Sequence, residues 1–392
     1  MNKFFLDLGQ QPLANNYLKK YQQNQTRYNL KLYFNQKNKL VSISKRIPSN
    51  KMFDNKYPYK SSMSKTMRNA FKDLSKEIKK KFNPQLLLEI GSNDGTLLKN
   101  FDKKKAIGVE PCSNLAKITS KLGYKTFSEY WDMSLSNKIK KKYDKVDLIY
   151  SANTITHISN LETVFKSITN VLSNDGILII EDPSLLECIK KVSYDQFYNE
   201  HIYVFSALAV KNILKKHNLE IFDIKNLTTH GGSIRYYVKK VKNFKIKIKS
   251  SVKKQISREI NFGLNNFNTY NKFANKVIKS KIKLLNIFNK IKSNNKIIIG
   301  YGATAKATTV LNYCKIDEKI IKFFVDTTPD KSNKLMPGKK IKILKYNQKL
   351  LENVDYIFLG AWNFKKEILS KEKKFKKRGG KFITHIPKPY VF

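Results

Sequence analysis

Residues 85–98, QLLLEIGSNDGTLL, place a short apolar run directly before a turn that contains two glycines. A continuous apolar run of this length is typical of a strand that is buried on both faces of a parallel sheet. The segment that begins at Thr96 predicts a helix behind the turn, whose first N–H groups would face a ligand. Further apolar runs at 105–110, 146–153 and 176–183 alternate with helical patterns. This alternation predicts a doubly wound, mostly parallel α/β sheet.

A second strand, glycine turn and helix pattern occurs near the C-terminus, in KIIIGYGATAKATTVLNY at 296–313. Together the two alternations predict an α/β protein with two Rossmann-like domains. We expect four parts along the chain, which are a small N-terminal domain, a larger Rossmann-like domain, a lysine-rich helical connector and a C-terminal Rossmann-like domain. Their predicted bounds are 1–62, 63–249, 250–293 and 294–392.

The composition is strongly basic, with a net charge of +47 over 392 residues. Only six of the basic residues are arginine, whereas proteins that read nucleic-acid bases favour arginine. We therefore interpret the charge as compositional and expect no nucleic-acid partner, although a positive field would also favour an anionic small substrate. No run of 18 apolar residues predicts a membrane span, and no signal peptide is expected. Three widely separated cysteines form no disulfide framework, which fits the cytoplasm.

The first glycine turn carries candidate cofactor residues. Gly91 and Gly95 would let the backbone approach a ligand closely. Glu110, at the end of the next strand, could accept hydrogen bonds from two ribose hydroxyls. Glu89 is unsuited to a pyrophosphate but suited to a cation, such as the sulfonium and ammonium groups of S-adenosylmethionine. The third glycine of a dinucleotide fingerprint is missing, and a purely structural turn is the alternative.

The segment YNEHIYVFS, residues 198–206, gathers three proton-transfer groups within four positions. Tyr198, Glu200 and His201 suit acid–base chemistry, although a structural loop would also explain them. Asn153 and His157 lie at and just beyond the end of a predicted strand, where ligands bind in such sheets. A capping or core role for the histidine is the alternative.

Two further turns contain candidate anion contacts. In HGGSIRYYV, at 230–238, the paired glycines beside His230 and Arg235 would free N–H groups for an anion, or would simply form a turn. In GYGATAK, at 300–306, Lys306 could reach an anion. A dinucleotide site there is favoured by Asp326 at the end of the next strand and disfavoured by the missing third glycine.

These motifs, in this order, resemble the S-adenosylmethionine-dependent sugar C-methyltransferases that build branched deoxysugars on nucleotide carriers. The segments that carry the resemblance include LDLGQQPLANNYL, YPYKSSMS, LEIGSNDGTLL, GVEP, NTITHI, DQFYNEHIYVFS, THGGSIRYYV, GYGATAKATTVLNY and FVDTTPDK. The resemblance implies a small zinc-binding N-terminal domain, a central methyltransferase domain and a C-terminal Rossmann-like domain that binds no dinucleotide.

The resemblance also implies roles for the candidate residues. His201 would be the general base, Glu200 would orient its imidazole or contact the sugar, and Tyr198 would donate to the ketone oxygen of a nucleotide-linked 4-keto-6-deoxysugar. His157 would lie in the same site. The other implied contacts are Tyr57, Tyr59, His230, Arg235 and Lys306 for the substrate, and Glu89, Gly91, Asn93, Asp94, Gly95, Glu110 and Asn153 for S-adenosylmethionine.

One feature departs from this family, because residues 1–62 contain no cysteine and thiolate zinc sites need such ligands. We therefore predict no structural zinc and an N-terminal domain that is stabilised by packing alone. Three alternatives stay open. They are a methyltransferase acting on oxygen or nitrogen, a non-catalytic basic binding protein on a methyltransferase fold, and an oxidoreductase that binds NAD at 300–306.

Overall fold

The structure is a computed structural model, and it describes residues 1–44 and 47–392, which contain three β-sheets. The small first sheet joins the N-terminal strands to a strand that follows the YNEH segment. Its order is β1 (Asn2–Gln11), β2 (Tyr28–Asn35), β3 (Val41–Ile43) and β9 (Tyr203–Val204). The ten-residue strand β1 was not predicted from the sequence.

The central sheet has seven strands and carries the first glycine turn. Its order is β10 (Leu219–Leu227), β11 (Ser233–Lys240), β8 (Leu172–Pro183), β7 (Val146–Ala152), β4 (Leu87–Ile90), β5 (Ala106–Val109) and β6 (Lys125–Phe127). Strands β4 to β8 are parallel to one another, and β11 runs antiparallel to both of its neighbours, β8 and β10. The prediction of a doubly wound, mostly parallel sheet is therefore confirmed.

The third sheet has six strands and repeats the parallel arrangement in the C-terminal part of the chain. Its order is β14 (Lys342–Lys345), β13 (Phe323–Asp326), β12 (Ile298–Tyr301), β15 (Tyr356–Leu359), β16 (Lys381–Thr384) and β17 (Tyr390–Val391). Only β17 runs antiparallel to its neighbour within this sheet. The carboxyl ends of its strands are therefore a second edge at which a ligand could bind.

Twelve α-helices connect and cover the sheets in the described part of the chain. They are α1 (Ser49–Met52), α2 (Lys65–Lys81), α3 (Ser113–Lys121), α4 (Met133–Tyr143), α5 (Leu161–Val171), α6 (Leu185–Lys190), α7 (Ala207–Leu214), α8 (Ser250–Phe262), α9 (Phe267–Ser293), α10 (Ala305–Tyr313), α11 (Lys365–Lys371) and α12 (Lys373–Lys377). Across residues 1–44 and 47–392, none of the helices is long and apolar enough to cross a membrane.

The prediction of a helix behind the first glycine turn is wrong. That segment contains only a single 3₁₀ turn, Leu98–Asn100. The Asn100 side chain donates to the carbonyl oxygens of Thr96 and Leu97, each over 3.0 Å. An asparagine that binds these oxygens competes with the backbone hydrogen bonds of a longer helix.

The predicted helical connector is two helices, and the second of them contributes to the core. Helices α8 and α9 are separated by residues 263–266. Tyr270, Phe273 and Val277 of α9 are at most 1% exposed, and the Tyr270 ring lies 5.2 Å from that of Phe5 on β1. Lysines stand between the buried residues along the α9 sequence. The composition of this segment therefore indicated an exposed connector and not a core helix.

Candidate active site

One cavity of about 760 Å³ lies where the carboxyl edges of the central and C-terminal sheets face each other. The segment 57–64 and helix α2 form a further wall. Candidate residues from both glycine turns and from the YNEH segment line it, as do groups from the N-terminal part such as Asn15. Such a contiguous concave surface is the expected place for both a cofactor and a small substrate.

Glu89 gives the central-sheet end of the cavity an acidic floor. Its side chain is 4% exposed, and its Oε2 has no hydrogen-bond partner in the described part of the chain. Burial, together with the nearby Asp94 and Glu110 carboxylates, raises the pKa of Glu89 well above its ordinary value. A buried carboxylate with an unused oxygen calls for a cationic or hydrogen-donating ligand.

Glu110 and Asn93 shape the adjoining wall. The Glu110 carboxylate accepts the backbone N–H groups of Asn93, over 2.8 Å, and Cys112, over 2.9 Å. Burial raises the pKa of Glu110, and these two hydrogen bonds partly oppose that effect. The Asn93 side chain accepts the N–H of Ser61 over 2.9 Å, so this wall is tied to the segment 57–64.

The two glycines of this turn pack against protein. Gly91 lines the cavity with φ of +78°, and a Cβ there would lie 2.0 Å from the Thr154 Oγ1. Asp94 and Gly95 do not line the cavity, contrary to the prediction that they contact the cofactor. Asp94 instead accepts hydrogen bonds from the Ser62 N–H and the Thr96 hydroxyl.

The rest of this end is apolar and aromatic. Pro111, Tyr130 and Trp131 line the cavity beside Glu110, and the sequence reasoning did not single them out. Asn153 also lines the cavity, and its backbone N–H donates to the Glu181 carbonyl over 2.8 Å. The aromatic residues of the SEYWDM stretch were the available signal for a surface that accepts a planar base.

His201 lies at the centre of the cavity wall with a defined tautomer. Its Nδ1 is 2.6 Å from the Gln196 carbonyl oxygen. A carbonyl can only accept, so Nδ1 carries the hydrogen and Nε2 keeps its lone pair. The Tyr198 hydroxyl donates to that Nε2 over 2.7 Å. Burial lowers the pKa of His201 well below its ordinary value, which leaves the imidazole neutral at neutral pH.

His157 stacks on the His201 ring. Its ring lies 5.1 Å from the His201 ring and 5.4 Å from the Phe53 ring, at interplanar angles of 24° and 12°. Its Nε2 is buried with no hydrogen-bond partner among the described residues. Burial lowers the pKa of His157 to about 3, so the ring adds no positive charge beside His201.

Glu200 does not orient the imidazole, which corrects one of the two predicted roles. Its carboxylate accepts two hydrogen bonds from the Asn15 amide, over 2.8 and 2.9 Å, and one from the Tyr57 hydroxyl over 2.9 Å. Burial raises the pKa of Glu200 to about 7, although these bonds oppose it. The imidazole is oriented by Gln196, which the sequence reasoning missed because it acts through its backbone carbonyl.

Tyr59 and His230 line the cavity, but the paired glycines beside His230 do not form the expected anion site. Tyr59 is 39% exposed, and its carbonyl accepts from the Asn93 amide over 3.2 Å. The Gly232 N–H donates to the Thr229 carbonyl and is therefore not free. The His230 Nε2 is buried and unpartnered in the described structure, and burial lowers the pKa of His230 to about 3.

Arg235 was predicted to bind the substrate, and this prediction is wrong. It lies on β11 opposite Glu181 of β8, and it does not line the cavity. Its guanidinium pairs with the carboxylates of Glu181, at 3.0 Å, and Glu77, at 3.3 Å. A buried cation that already has two carboxylate partners has no charge left for an anionic ligand.

Lys306 provides the cationic end of the cavity. It lies in the first turn of α10, is 8% exposed, and forms no ion pair within 4.0 Å in residues 1–44 and 47–392. Its ammonium lies 3.3 Å from the His230 carbonyl and 3.4 Å from the Asn363 amide oxygen. The nearby Asp326 accepts the N–H groups of Ala303 and Thr328, so its carboxylate is satisfied within the protein.

The described part of the chain contains no group of three or more His, Cys, Asp or Glu side chains that could hold a metal ion. The absence of structural zinc from the N-terminal domain stays a prediction.

Comparisons with known proteins give matches to two protein families and to a curated relative. Residues 59–224 match a family described as "Methyltransferase domain", and residues 228–387 match one described as "C-methyltransferase C-terminal domain". The curated C-methyltransferase NovU of Streptomyces niveus is 29% identical over 308 residues, which are 78% of this chain and 73% of NovU.

Two solved structures show more distant similarity. One is an O-methyltransferase from a trans-AT PKS multienzyme of Brevibacillus brevis, in complex with S-adenosyl-L-homocysteine. It is 14% identical, with 53% of this chain and 82% of that chain covered and a TM-score of 0.35. The other is an S-adenosylmethionine-dependent methyltransferase from Clostridium acetobutylicum, at 17% identity, 44% and 91% coverage and a TM-score of 0.34.

The central sheet and the matching domain define an S-adenosylmethionine-dependent methyltransferase. The unpartnered Glu89 carboxylate fits this cofactor, because the cofactor carries an ammonium and a sulfonium group. Within that class, the two matched domains and the similarity to a curated C-methyltransferase support a C-methyltransferase.

Proposed function

We propose that this enzyme methylates the carbon next to the ketone of a nucleotide-linked 4-keto-6-deoxysugar. The observation that carries the proposal is the His201 tautomer, in which Nε2 carries no hydrogen and its lone pair accepts the Tyr198 hydroxyl at the cavity wall. Carbon is not nucleophilic until it loses a proton, so a C-methyltransferase needs a base, whereas transfer to an existing amine or hydroxyl needs no carbanion.

His201 and Tyr198 can divide the proton chemistry between them. The hydrogen on a carbon next to a ketone is weakly acidic, and its removal requires stabilisation of the developing enolate oxygen. His201 Nε2 accepts that proton. The Tyr198 hydroxyl, which donates to Nε2 in the structure, turns to the ketone oxygen when the sugar enters. The low pKa of His201, caused by burial, keeps the imidazole unprotonated before the reaction.

The acidic end of the cavity would hold the cofactor beside this base. When bound, S-adenosylmethionine supplies an electrophilic methyl group. Glu89 would hold its cationic methionine end, and Glu110 would accept its ribose hydroxyls with the lone pairs that Asn93 and Cys112 leave free. Asn153 and Gly91 close this part of the wall. Reaction in line requires the two ligands to be held in fixed geometry, which such walls provide.

The sugar and its nucleotide would occupy the remaining cavity. Tyr57, held by Glu200, and the half-exposed Tyr59 flank the sugar position together with His157. Lys306, which has no carboxylate partner in the described structure, suits the diphosphate, and His230 lies beside it. Two ligands of opposite charge are thereby accommodated in one cavity.

Mass spectrometry tests this proposal. The purified protein is incubated with S-adenosylmethionine and a panel of nucleotide-linked 4-keto-6-deoxysugars. We expect a gain of about 14 mass units, one net CH₂, which His201→Ala abolishes. In deuterated water, the wild type with S-adenosylhomocysteine should also exchange the hydrogen next to the ketone. Cofactor binding without methylation of any of these sugars would contradict the proposed substrate class.

A further inference from the structure

Three buried side chains outside the cavity connect the C-terminal sheet to the segment that carries His201. The Trp362 indole Nε1 donates to Asp195 Oδ2 over 2.5 Å, and the His385 Nε2 lies 3.1 Å from the same oxygen. Asp195 and His385 have no exposed surface, and Trp362 is 9% exposed. None of the three lines the cavity, so they act on bound ligands only through other residues.

Asp195 directly precedes Gln196, the residue that holds the His201 imidazole. Both lie in one 3₁₀ turn, Tyr194–Gln196. Because a planar peptide unit links them, a shift of Asp195 displaces the Gln196 backbone. The Gln196 carbonyl accepts the Nδ1–H of His201 over 2.6 Å, so it selects the tautomer that leaves Nε2 free. The Trp362 hydrogen bond therefore lies one residue from the group that orients the candidate base.

Trp362 also supports the cationic end of the cavity. The Lys306 ammonium lies 5.2 Å from the centroid of its ring, within cation–π range. The ring packs so closely on Gly231 that a Cβ there would lie 2.3 Å from the Trp362 Cη2. The Gln196 amide donates to the His230 carbonyl over 2.6 Å, which joins this turn to the segment that carries the base.

The charges in this cluster support a strong contact. Burial alone would raise the pKa of Asp195, but the neighbouring His385 and Lys306 and the Trp362 N–H hold it below its ordinary value. Asp195 is therefore an ionised acceptor, and hydrogen bonds to an ionised acceptor are stronger than neutral ones.

We propose that Trp362, Asp195 and His385 are positioning residues for methyl transfer, through which the C-terminal sheet fixes the orientation and tautomer of His201 and the placement of Lys306. This inference rests on the proposed role of His201 as the base. The C-terminal part of the chain then completes the catalytic site, in addition to contacting the substrate.

Trp362→Phe tests the proposal, because it removes the N–H donor and keeps an aromatic ring, although the part of the indole that packs on Gly231 is lost with it. The chain has five histidines, so ¹⁵N-histidine NMR can follow His201, with His201→Gln identifying its signals. We expect the Nδ1–H tautomer in the wild type and a mixture of tautomers in Trp362→Phe. We also expect kcat to fall about tenfold. The acid limb of the pH profile should move to lower pH, because a weaker Gln196 bond stabilises the imidazolium less.

Tyr270→Phe is the matched control, because it removes a buried 2.7 Å hydrogen bond to the Leu264 carbonyl, and neither residue lines the cavity. It should lower stability without changing the tautomer or the pH profile. If Trp362→Phe does not fold, Asp195→Asn provides the same test with nearly unchanged volume. An unchanged His201 tautomer, kcat and acid limb in a folded variant overturns the proposal. The NMR measurement needs no sugar, so it still decides the positioning role if no keto sugar is methylated.

Discussion

The two glycine turns, at 91–95 and 300–306, each contain a glycine with positive φ but have oppositely charged surroundings. Gly91 and Gly302 both have positive φ, and both press against a neighbouring side chain, Thr154 in one case and Ala361 in the other. The first turn, however, borders the unpartnered Glu89 carboxylate, whereas the second leads into α10 with the unpaired Lys306 ammonium. The glycines therefore define the turn, and the charged neighbours define which ligand each end of the cavity accepts.

Removing the base between the two ends should have the largest effect. We expect His201→Gln to lower kcat by roughly 10²- to 10⁴-fold, the usual contribution of a positioned general base. Binding of both ligands should persist, since neither end of the cavity changes. Steady-state kinetics and calorimetry measure this, with His217→Gln as the control because His217 lies outside the cavity. A loss of less than tenfold would argue against a catalytic base at this position.

Neutralising Glu89 at the acidic end of the cavity should weaken the binding of S-adenosylmethionine. We expect Glu89→Gln to raise the Kd for S-adenosylmethionine by roughly 10- to 100-fold, the loss of one hydrogen bond to a charged group. Because burial raises the pKa of free Glu89, a bound cation should draw a proton off it. The wild-type affinity should therefore increase with pH, and the binding heat should depend on the buffer.

The control for this substitution is Glu162→Gln, which changes an exposed carboxylate. If Glu89→Gln binds the cofactor as tightly as the wild type, then the acidic end is not the cofactor site.

Neutralising the cationic end should affect only the other ligand. We expect Lys306→Gln to raise the Kd for a nucleoside diphosphate by roughly tenfold and to reduce the salt dependence of its binding. The affinity for S-adenosylmethionine should stay as it is in the wild type. Isothermal titration calorimetry separates the two ligands, and Lys245→Gln, on an exposed side chain, is the control. Equal losses of affinity for both ligands would contradict the assignment of each ligand to a different end of the cavity.

The smallest expected effect is a change in the free energy of unfolding on substitution of Glu200. Burial raises the pKa of folded Glu200 to about 7, above the unfolded value of about 4.3. This group therefore contributes stability below the unfolded pKa, and that contribution is lost as pH rises through about 7. Glu200→Gln cannot ionise, but it loses one Asn15 hydrogen bond. We expect a net stabilisation of about 1 kcal/mol at pH 8 relative to the wild type. Urea unfolding at pH 5 and pH 8 measures this, and a stability difference between the two pH values as large as in the wild type would contradict it.

The sequence predicted the elements whose signal is local. Continuous apolar runs identified β4, β7 and β8, because a strand covered on both faces needs no polar side. Strand β1, in contrast, has irregular pairing with two register shifts against β2, so its alternation is broken. The apolar face of α9 was obscured by the lysines between its buried residues.

The sequence identified those site residues whose position alone indicates their role. It did not identify the residues whose role depends on which groups they contact in the fold. Glu89 and Lys306, which were singled out by their positions beside the two glycine turns, both line the cavity. The role of Arg235 depends on which strand pairs with β11, and that pairing supplies Glu181 as its partner. Gln196 acts through its carbonyl, which every residue type possesses, so the sequence carries no signal for it.

The most direct test of the account is the position of the transferred methyl group. The enzyme is incubated with ¹³C-methyl S-adenosylmethionine and the keto sugar that gains mass, and the product is examined by NMR. We expect the labelled carbon to be bonded to the carbon next to the ketone, which requires the proton removal assigned to His201. A label bonded to oxygen or nitrogen would contradict the account, because such a transfer needs no base of this kind.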